Sequence, residues 1–366
     1  MSDGTVRVAR WMTAASLIVS IALGAISEHS HAQNATTQPS ATMPATTSDA
    51  SAPELSGIAK IKADAKALEG TVKTELAKEF LAAAQGVPSI TPRIIYRDKA
   101  TRAWMTAEEA EKLSDAQRSQ LDELQVDDDV FYNSKYGTPL AYVRVMERLG
   151  EAGLKSMKGM RVLDFGCGGV GPLRMMALCG ADVTGVDVDP FLRAAYSLPD
   201  DTGEVHNAEG KAVGRTALVL GKFPSDEKIA EQVGDGYDVI ISKNTLKRGY
   251  VHPEREADPQ MLIDLGVNDM EFVNELYKRL NPGGLLIIYN MSPHLSKADE
   301  PYVPWSDGRC AFERAVLEKA GFEVLTYDST QDEEPMRKMG HILGWDEGGM
   351  KLESDLFCHY TVARRK

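Results

Sequence analysis

Cysteine is scarce, four in 366 residues. That excludes a disulfide scaffold, the usual device of small secreted domains that lack a sufficient core. Basic charge is also short, with 41 Lys+Arg against 54 Asp+Glu and a net charge of −13. Phosphate neutralisation needs a basic face, so no nucleic-acid partner is expected. Long apolar runs are missing: the uncharged stretch 11–27 falls short of the roughly 20 apolar residues of a transmembrane helix. The histidines and cysteines show no ligand spacing, so no metal is expected. What remains, 43% hydrophobic and 26% charged, is ordinary globular composition and excludes a disordered or collagenous chain.

The start of the chain reads as an address. Arg7 and Arg10 precede Leu17-Ile18-Val19 and Ile21-Ala22-Leu23, and Ser30-His31-Ala32 places small residues at a cleavage site. This pattern predicts a signal peptide over 1–32, or an uncleaved anchor. Either way the remainder lies outside the cytosol, periplasmic or extracellular, and after cleavage it keeps no stable membrane span. Residues 33–53 are almost all Ala, Thr, Ser and Pro, with Asp49 the only charge. Such a segment cannot offset its ordering entropy by burial, so it reads as a disordered linker.

Residues 54–130 form an accessory segment. Ile58, Ile61, Leu68, Val72, Leu76 and Phe80 fall at helical spacing and predict one amphipathic helix over 57–85. Two short β-prone runs, at 94–96 and 102–104, predict a hairpin. Thr106 with Glu109 predicts a capping box. Asp127-Asp128-Asp129 reads as a solvated loop rather than a metal site.

From 131 to 366 strands and helices alternate, with strands near 161–165, 182–188, 217–220, 237–241 and 285–289, then 322–327 and 356–362. Alternation of this kind builds an α/β fold, a mostly parallel sheet with helices on both faces. Ligands then bind outside the carboxyl ends of the strands. Gly166-Cys167-Gly168-Gly169-Val170-Gly171 satisfies G-x-G-x-x-G, alone a weak signal. Asp164, just before it, repels a pyrophosphate but suits an amino group or a sulfonium. Asp187 ends the next strand, where a carboxylate can accept two ribose hydroxyls.

With these residues in view, Val162 to Gly171 resembles motif I of the class I S-adenosylmethionine-dependent methyltransferases. Gly185-Val186-Asp187-Val188-Asp189-Pro190 is similar to their second-strand acidic motif, and Leu280-Asn281-Pro282-Gly283-Gly284 to the turn into their fifth strand. The resemblance implies a Rossmann-like sheet of seven strands ending in an antiparallel hairpin, and S-adenosylmethionine as cofactor. It implies Asp164, Gly166 and Gly168 at the methionine end, Asp187 on the ribose, and Val188 on the adenine. Lys222 would stand at the adenine edge, where the family often has an acid. Cys167, in the same loop, sits at a helix N-terminus and lines the cofactor or simply fills the loop. Tyr132 and Tyr136 either close over the cofactor or pack under the entry helix.

The acceptor side is predicted after the fourth strand. Lys243, Asn244, Arg248, Tyr250 and His252 gather there within ten residues. His252 is a candidate general base, with a surface or structural histidine as the competing reading. Asn244 and Tyr250 complete the catalytic candidates, and the basic residues could instead fix an anionic acceptor. The expected activity is methyl transfer to an unidentified small molecule or protein side chain. Two alternatives stay open: an exported, non-catalytic binding protein that keeps the fold, and an NAD(P)-dependent oxidoreductase.

Overall fold

The computed structural model describes Leu55 and residues 57–366. The expected signal peptide and linker therefore lie outside the described residues. Among the described residues, no helix is long and apolar enough to cross a membrane.

The expected single helix over 57–85 is two, α1 (Gly57–Leu68) and α2 (Glu75–Ala83). Thr74 caps α2 by accepting from the Ala77 amide. The break is fixed from a distance. The buried Glu147 carboxylate accepts from the amides of Lys73 and Thr74 and from the Thr74 hydroxyl, at 2.9–3.1 Å. A partner 73 residues away leaves no mark on local periodicity.

The hairpin is present as β1 (Arg93–Asp98) and β2 (Trp104–Thr106). A third strand, β3 (Leu121–Val126), joins it in the order β2-β1-β3. The Thr106–Glu109 capping box forms. The acidic run is not a solvated loop. Asp127 caps the helix Asp128–Asn133, and Asp128 accepts from the Ile90 amide at 2.8 Å.

The remaining chain runs α3 (Val143–Glu151), β4 (Arg161–Phe165), α4 (Val170–Leu178), β5 (Asp182–Asp187) and α5 (Pro190–Ala195). It continues with β6 (Gly203–His206), β7 (Ala212–Leu220), α6 (Glu227–Val233), β8 (Tyr237–Lys243), α7 (Asp269–Arg279) and β9 (Leu280–Ser292). It ends with α8 (Arg314–Ala320), β10 (Phe322–Ser329), α9 (Glu333–Ile342) and β11 (Phe357–Arg365). The sheet order is β10-β11-β9-β8-β4-β5-β7-β6, with β11 antiparallel to both β9 and β10. The α/β fold and its C-terminal antiparallel hairpin are as expected, but the sheet has eight strands rather than seven. The extra strand is β6, an edge strand antiparallel to β7. Its Gly-Glu-Val-His sequence holds one buried apolar residue, Val205, too little to signal a strand.

Alternate residues of the central strands feed two cores. Val162, Ile241 and Ile287 face one, together with Leu68 and Phe80 of α1 and α2. Leu163, Ile240 and Leu286 face the other, against Phe272 and Leu276 of α7. The accessory helices thus share a core with the sheet. On their face the fully buried Arg144 and Asp332 form a bidentate pair, and the Tyr289 hydroxyl donates to the same carboxylate at 2.8 Å. This cluster ties α3, β9 and the start of α9 together.

Truncating one partner of a buried ion pair leaves an uncompensated charge. Arg144→Met is expected to lower the unfolding free energy by about 3–5 kcal/mol, read from urea denaturation midpoints. A loss below about 1 kcal/mol would show the pair to be energetically neutral.

Candidate functional site

The order in which parallel strands are added reverses between β4 and β8: from β4 the chain builds outward to β5 and β7, then returns to β8 and β9. Ligands of open α/β sheets bind at such a switch point, outside the carboxyl ends of the strands. The residues at those ends here are Asp164, Asp187 and Lys243.

Asp164 is fully buried. Its Oδ2 accepts from the Tyr142 hydroxyl at 2.8 Å, while its Oδ1 has no partner among the described residues. Burial pushes its carboxyl up to about 7, helped by the charge of Asp187 and opposed by Tyr142 and Lys243. A dry carboxylate oxygen with nothing to accept is costly. The site therefore suits a ligand that brings N–H or O–H donors or a positive charge.

The glycine loop owes its glycines to two neighbours. Gly166 and Gly168 hold φ of 70° and 65°, in the left-handed region. A Cβ on Gly166 would lie 2.2 Å from Thr245 Oγ1, and one on Gly168 would lie 2.8 Å from the Tyr136 ring. Thr245 and Tyr136 thus flank the loop closely. Cys167 is buried, and burial keeps its thiol well above the usual range, so a helix-terminus thiolate is not what the loop holds.

Asp187 already accepts three backbone amides, from Gly168 at 2.9 Å, Val188 at 2.7 Å and Asp189 at 2.9 Å. About one of a carboxylate's four lone-pair positions is left for a ligand. Burial raises its carboxyl and those amides oppose the rise. Val188 beside it is 65% exposed, the most exposed large apolar side chain among the described residues. Lys222 lies on the surface, 3.4 Å from Asp264.

The two tyrosines of the entry segment part company. Tyr132 turns into the core, its hydroxyl donating to the Pro88 carbonyl at 2.7 Å. Tyr136 lies against Gly168, its hydroxyl donating to Asp189 at 2.8 Å. Lys135 pairs with the same carboxylate at 2.6 Å.

On the acceptor side the candidates also separate. Asn244 adopts φ 65°, and its Oδ1 accepts from the Met291 amide at 2.7 Å, which holds the loop to β9. His252 is partly exposed, its Nε2 3.0 Å from both oxygens of Asp269. Tyr250 lies inward, its ring 5.4 Å from Lys247 Nζ, and burial pushes its hydroxyl up to about 12. Nothing brings His252 to Asp164, whereas Tyr142 and Lys243 are both beside it. Lys243 Nζ sits 5.2 Å from the centre of the Tyr142 ring. Tyr142 gave no signal in the sequence, because it lies in a helical turn and reads as core. Among the described residues no group of three or more His, Cys, Asp or Glu could hold a metal.

A family model described as a methyltransferase domain matches residues 140–327, just over half of the chain. The chain is a class I methyltransferase by family. The curated relatives it matches include ubiquinone biosynthesis O-methyltransferases from Azorhizobium caulinodans and Maricaulis maris. They are 26% and 27% identical over 141 and 145 residues, 38% and 39% of this chain and 43% and 45% of theirs. The chain thus spans less than half the length of these relatives. Among solved structures, a phospholethanolamine N-methyltransferase from Haemonchus contortus has 17% identity and a TM-score of 0.37. It covers 67% of this chain and 62% of its own. A methyltransferase from Mesorhizobium loti has 15% identity and a TM-score of 0.35, covering 62% and 98%. This class I methyltransferase gives no support to the NAD(P)-dependent alternative, which rested on the bare glycine pattern.

Because Asp164 takes up a proton on folding, stability should fall as pH rises from about 4, where it titrates unfolded, to about 7. Asp164→Asn removes that slope. The unfolding free energy of wild type relative to Asp164→Asn is expected to drop by roughly 4 kcal/mol across the window, measured by denaturant titrations at several pH values. A flat difference would show that the carboxyl is not buried as described.

Proposed function

We propose that the protein is an S-adenosylmethionine-dependent methyltransferase acting on a small molecule or an exposed side chain. The observation that carries the reading is the buried Asp164 Oδ1 at the switch point, unpartnered among the described residues, a seat for a cationic, N–H-bearing ligand end. A pyrophosphate would be repelled there. When bound, the cofactor supplies a methyl group on a sulfonium, with a neutral leaving group.

The chain's own residues have three tasks in this reading. Asp164 holds the amino end, with Tyr142 fixing the carboxylate from the other side. Gly166 and Gly168 offer backbone without side-chain bulk, Cys167 between them offers its backbone with the side chain packed toward Gly185, and Tyr136 covers the loop. Asp187 uses its remaining lone pair on the ribose, the exposed Val188 meets the adenine, and Lys222 stands at its edge. Such positioning in line with the acceptor accounts for most of the rate expected of a sulfonium transfer. The names of the matched relatives favour an oxygen acceptor.

Export is part of the proposal, on the strength of the signal-like first 32 residues. It favours one second reading, a binding protein that keeps the fold, because S-adenosylmethionine is made in the cytosol. Cofactor binding with no label transferred to a cell-envelope extract would favour that reading.

Calorimetry on the full chain is expected to show S-adenosylhomocysteine binding, weakened at least tenfold (about 1.4 kcal/mol) in Asp164→Ala. Absence of binding to wild type would end the proposal. Separately, a fusion of residues 1–60 to a reporter that works only outside the cytosol is expected to be active, and a silent fusion would refute export.

A further inference from the structure

Two lysines, one ending β8 and one in the loop after it, are buried, which is unusual for this side chain. Lys243 is 8% exposed and Lys247 3%. They differ in what holds them. Lys247 Nζ donates to the carbonyls of Met291 at 2.6 Å and Trp305 at 3.4 Å. Lys243 Nζ makes no hydrogen bond and no ion pair with any described residue. Its contact is the face of the Tyr142 ring, at 5.2 Å.

Sheet register says where that free amine stands. Asp164 pairs with Ile241, and Ile241 and Lys243 are two residues apart on β8, so all three share one face of the sheet. Asp164 and Lys243 thus stand on the two strands that flank the switch point, with Tyr142 between them. The other groups facing Lys243 are accounted for. Tyr289, its register partner on β9, is committed to Asp332. Lys247 adds a like charge, and Asp307, whose charge holds Lys247 up, is paired with Arg309.

We propose that Lys243, with Lys247 behind it, receives the oxygen and the proton of an acidic hydroxyl acceptor, a phenol or an enol, and that the product is its methyl ether. The inference rests on the methyltransferase reading above and names the acceptor class for that site. The hydroxyl's proton passes to Lys243 Nζ, giving an ammonium beside an oxyanion. That oxygen then forms the bond to the methyl carbon as the carbon–sulfur bond breaks, its electron pair going to sulfur, and the ammonium later releases its proton to water.

The electrostatics agree. Burial lowers Lys243 to about 8, Asp164 holding it up. Burial and the charge of Lys243 lower Lys247 to about 7. The amine is therefore partly neutral near pH 7 and able to take a proton. An amine acceptor, neutral when it attacks, would instead turn cationic on methylation, beside two lysines. The imidazole of His252, the alternative base, faces Asp269 at the surface.

The test uses 4-nitrophenol, whose anion absorbs at longer wavelength than the neutral form, added to the full chain with S-adenosylhomocysteine about one unit below the phenol's own pKa. Wild type is expected to bind it at least about tenfold more ionised than it is free in solution. Lys243→Met, or Lys243→Gln should the methionine variant not fold, is expected to lose that band while S-adenosylhomocysteine affinity stays within about threefold. No nitrophenolate band with wild type, or an unchanged band in the variants, overturns the inference. A tenfold or greater loss of S-adenosylhomocysteine affinity in the variants also overturns it, since Lys243 would then serve the cofactor's carboxylate. Failure of wild type to bind S-adenosylhomocysteine at all instead defeats the methyltransferase reading beneath it.

Discussion

The structure is organised around a carboxylate kept out of water. Asp164 sits in the middle of the sheet, where an unpaired charge is expensive, and among the described residues only one of its oxygens is satisfied. Tyr142 reaches it from the turn that leads into α3, a helix that packs on β9. The buried Arg144–Asp332–Tyr289 cluster, which begins two residues further on, ties that helix to β9. A polar site is thus held by a second polar cluster, both inside apolar surroundings. The remaining oxygen is left without a donor among the described residues.

The accessory segment takes its meaning from the same packing. Its helices are not an appendage, since Leu68, Leu76 and Phe80 lie in the core that covers the Asp164 face of the sheet. Glu147 of α3 fixes the break between α1 and α2, so the segment and the entry helix order each other. Tyr136 then follows directly from the helix that Asp127 caps, and the chain arrives over Gly168 with little freedom. The glycines of the loop answer to Thr245 and Tyr136 as much as to any ligand.

Charge placement separates this site from a generic glycine loop. Acids at the ends of β4 and β5 favour a cation, and amines at the end of β8 favour an anion. The two seats stand on strands either side of the switch point. A donor that carries positive charge and an acceptor that becomes negative would each meet the opposite sign, and the transfer would cancel both.

The hairpin at the end was implied by the family resemblance, whereas the strands of the sheet and Asp164 were legible in the residues themselves. They rest on local signals: short apolar strands, a glycine turn, and a carboxylate beside it, each set by neighbours a few residues away. The eighth strand, the break between α1 and α2, and the parting of Tyr132 from Tyr136 were not legible. Each depends on a partner distant in the chain, such as Glu147 for the break and Gly168 for Tyr136. The sequence also put His252, Asn244 and Tyr250 together with Lys243 on one loop, but could not say which way each faces. Tertiary packing decided that, turning His252 to Asp269, spending Asn244 on β9, and leaving Lys243 buried beside Tyr142 with no partner among the described residues. Composition and spacing fix which groups a loop carries. Their solvation, and so their chemistry, is fixed only when the other strands close around them.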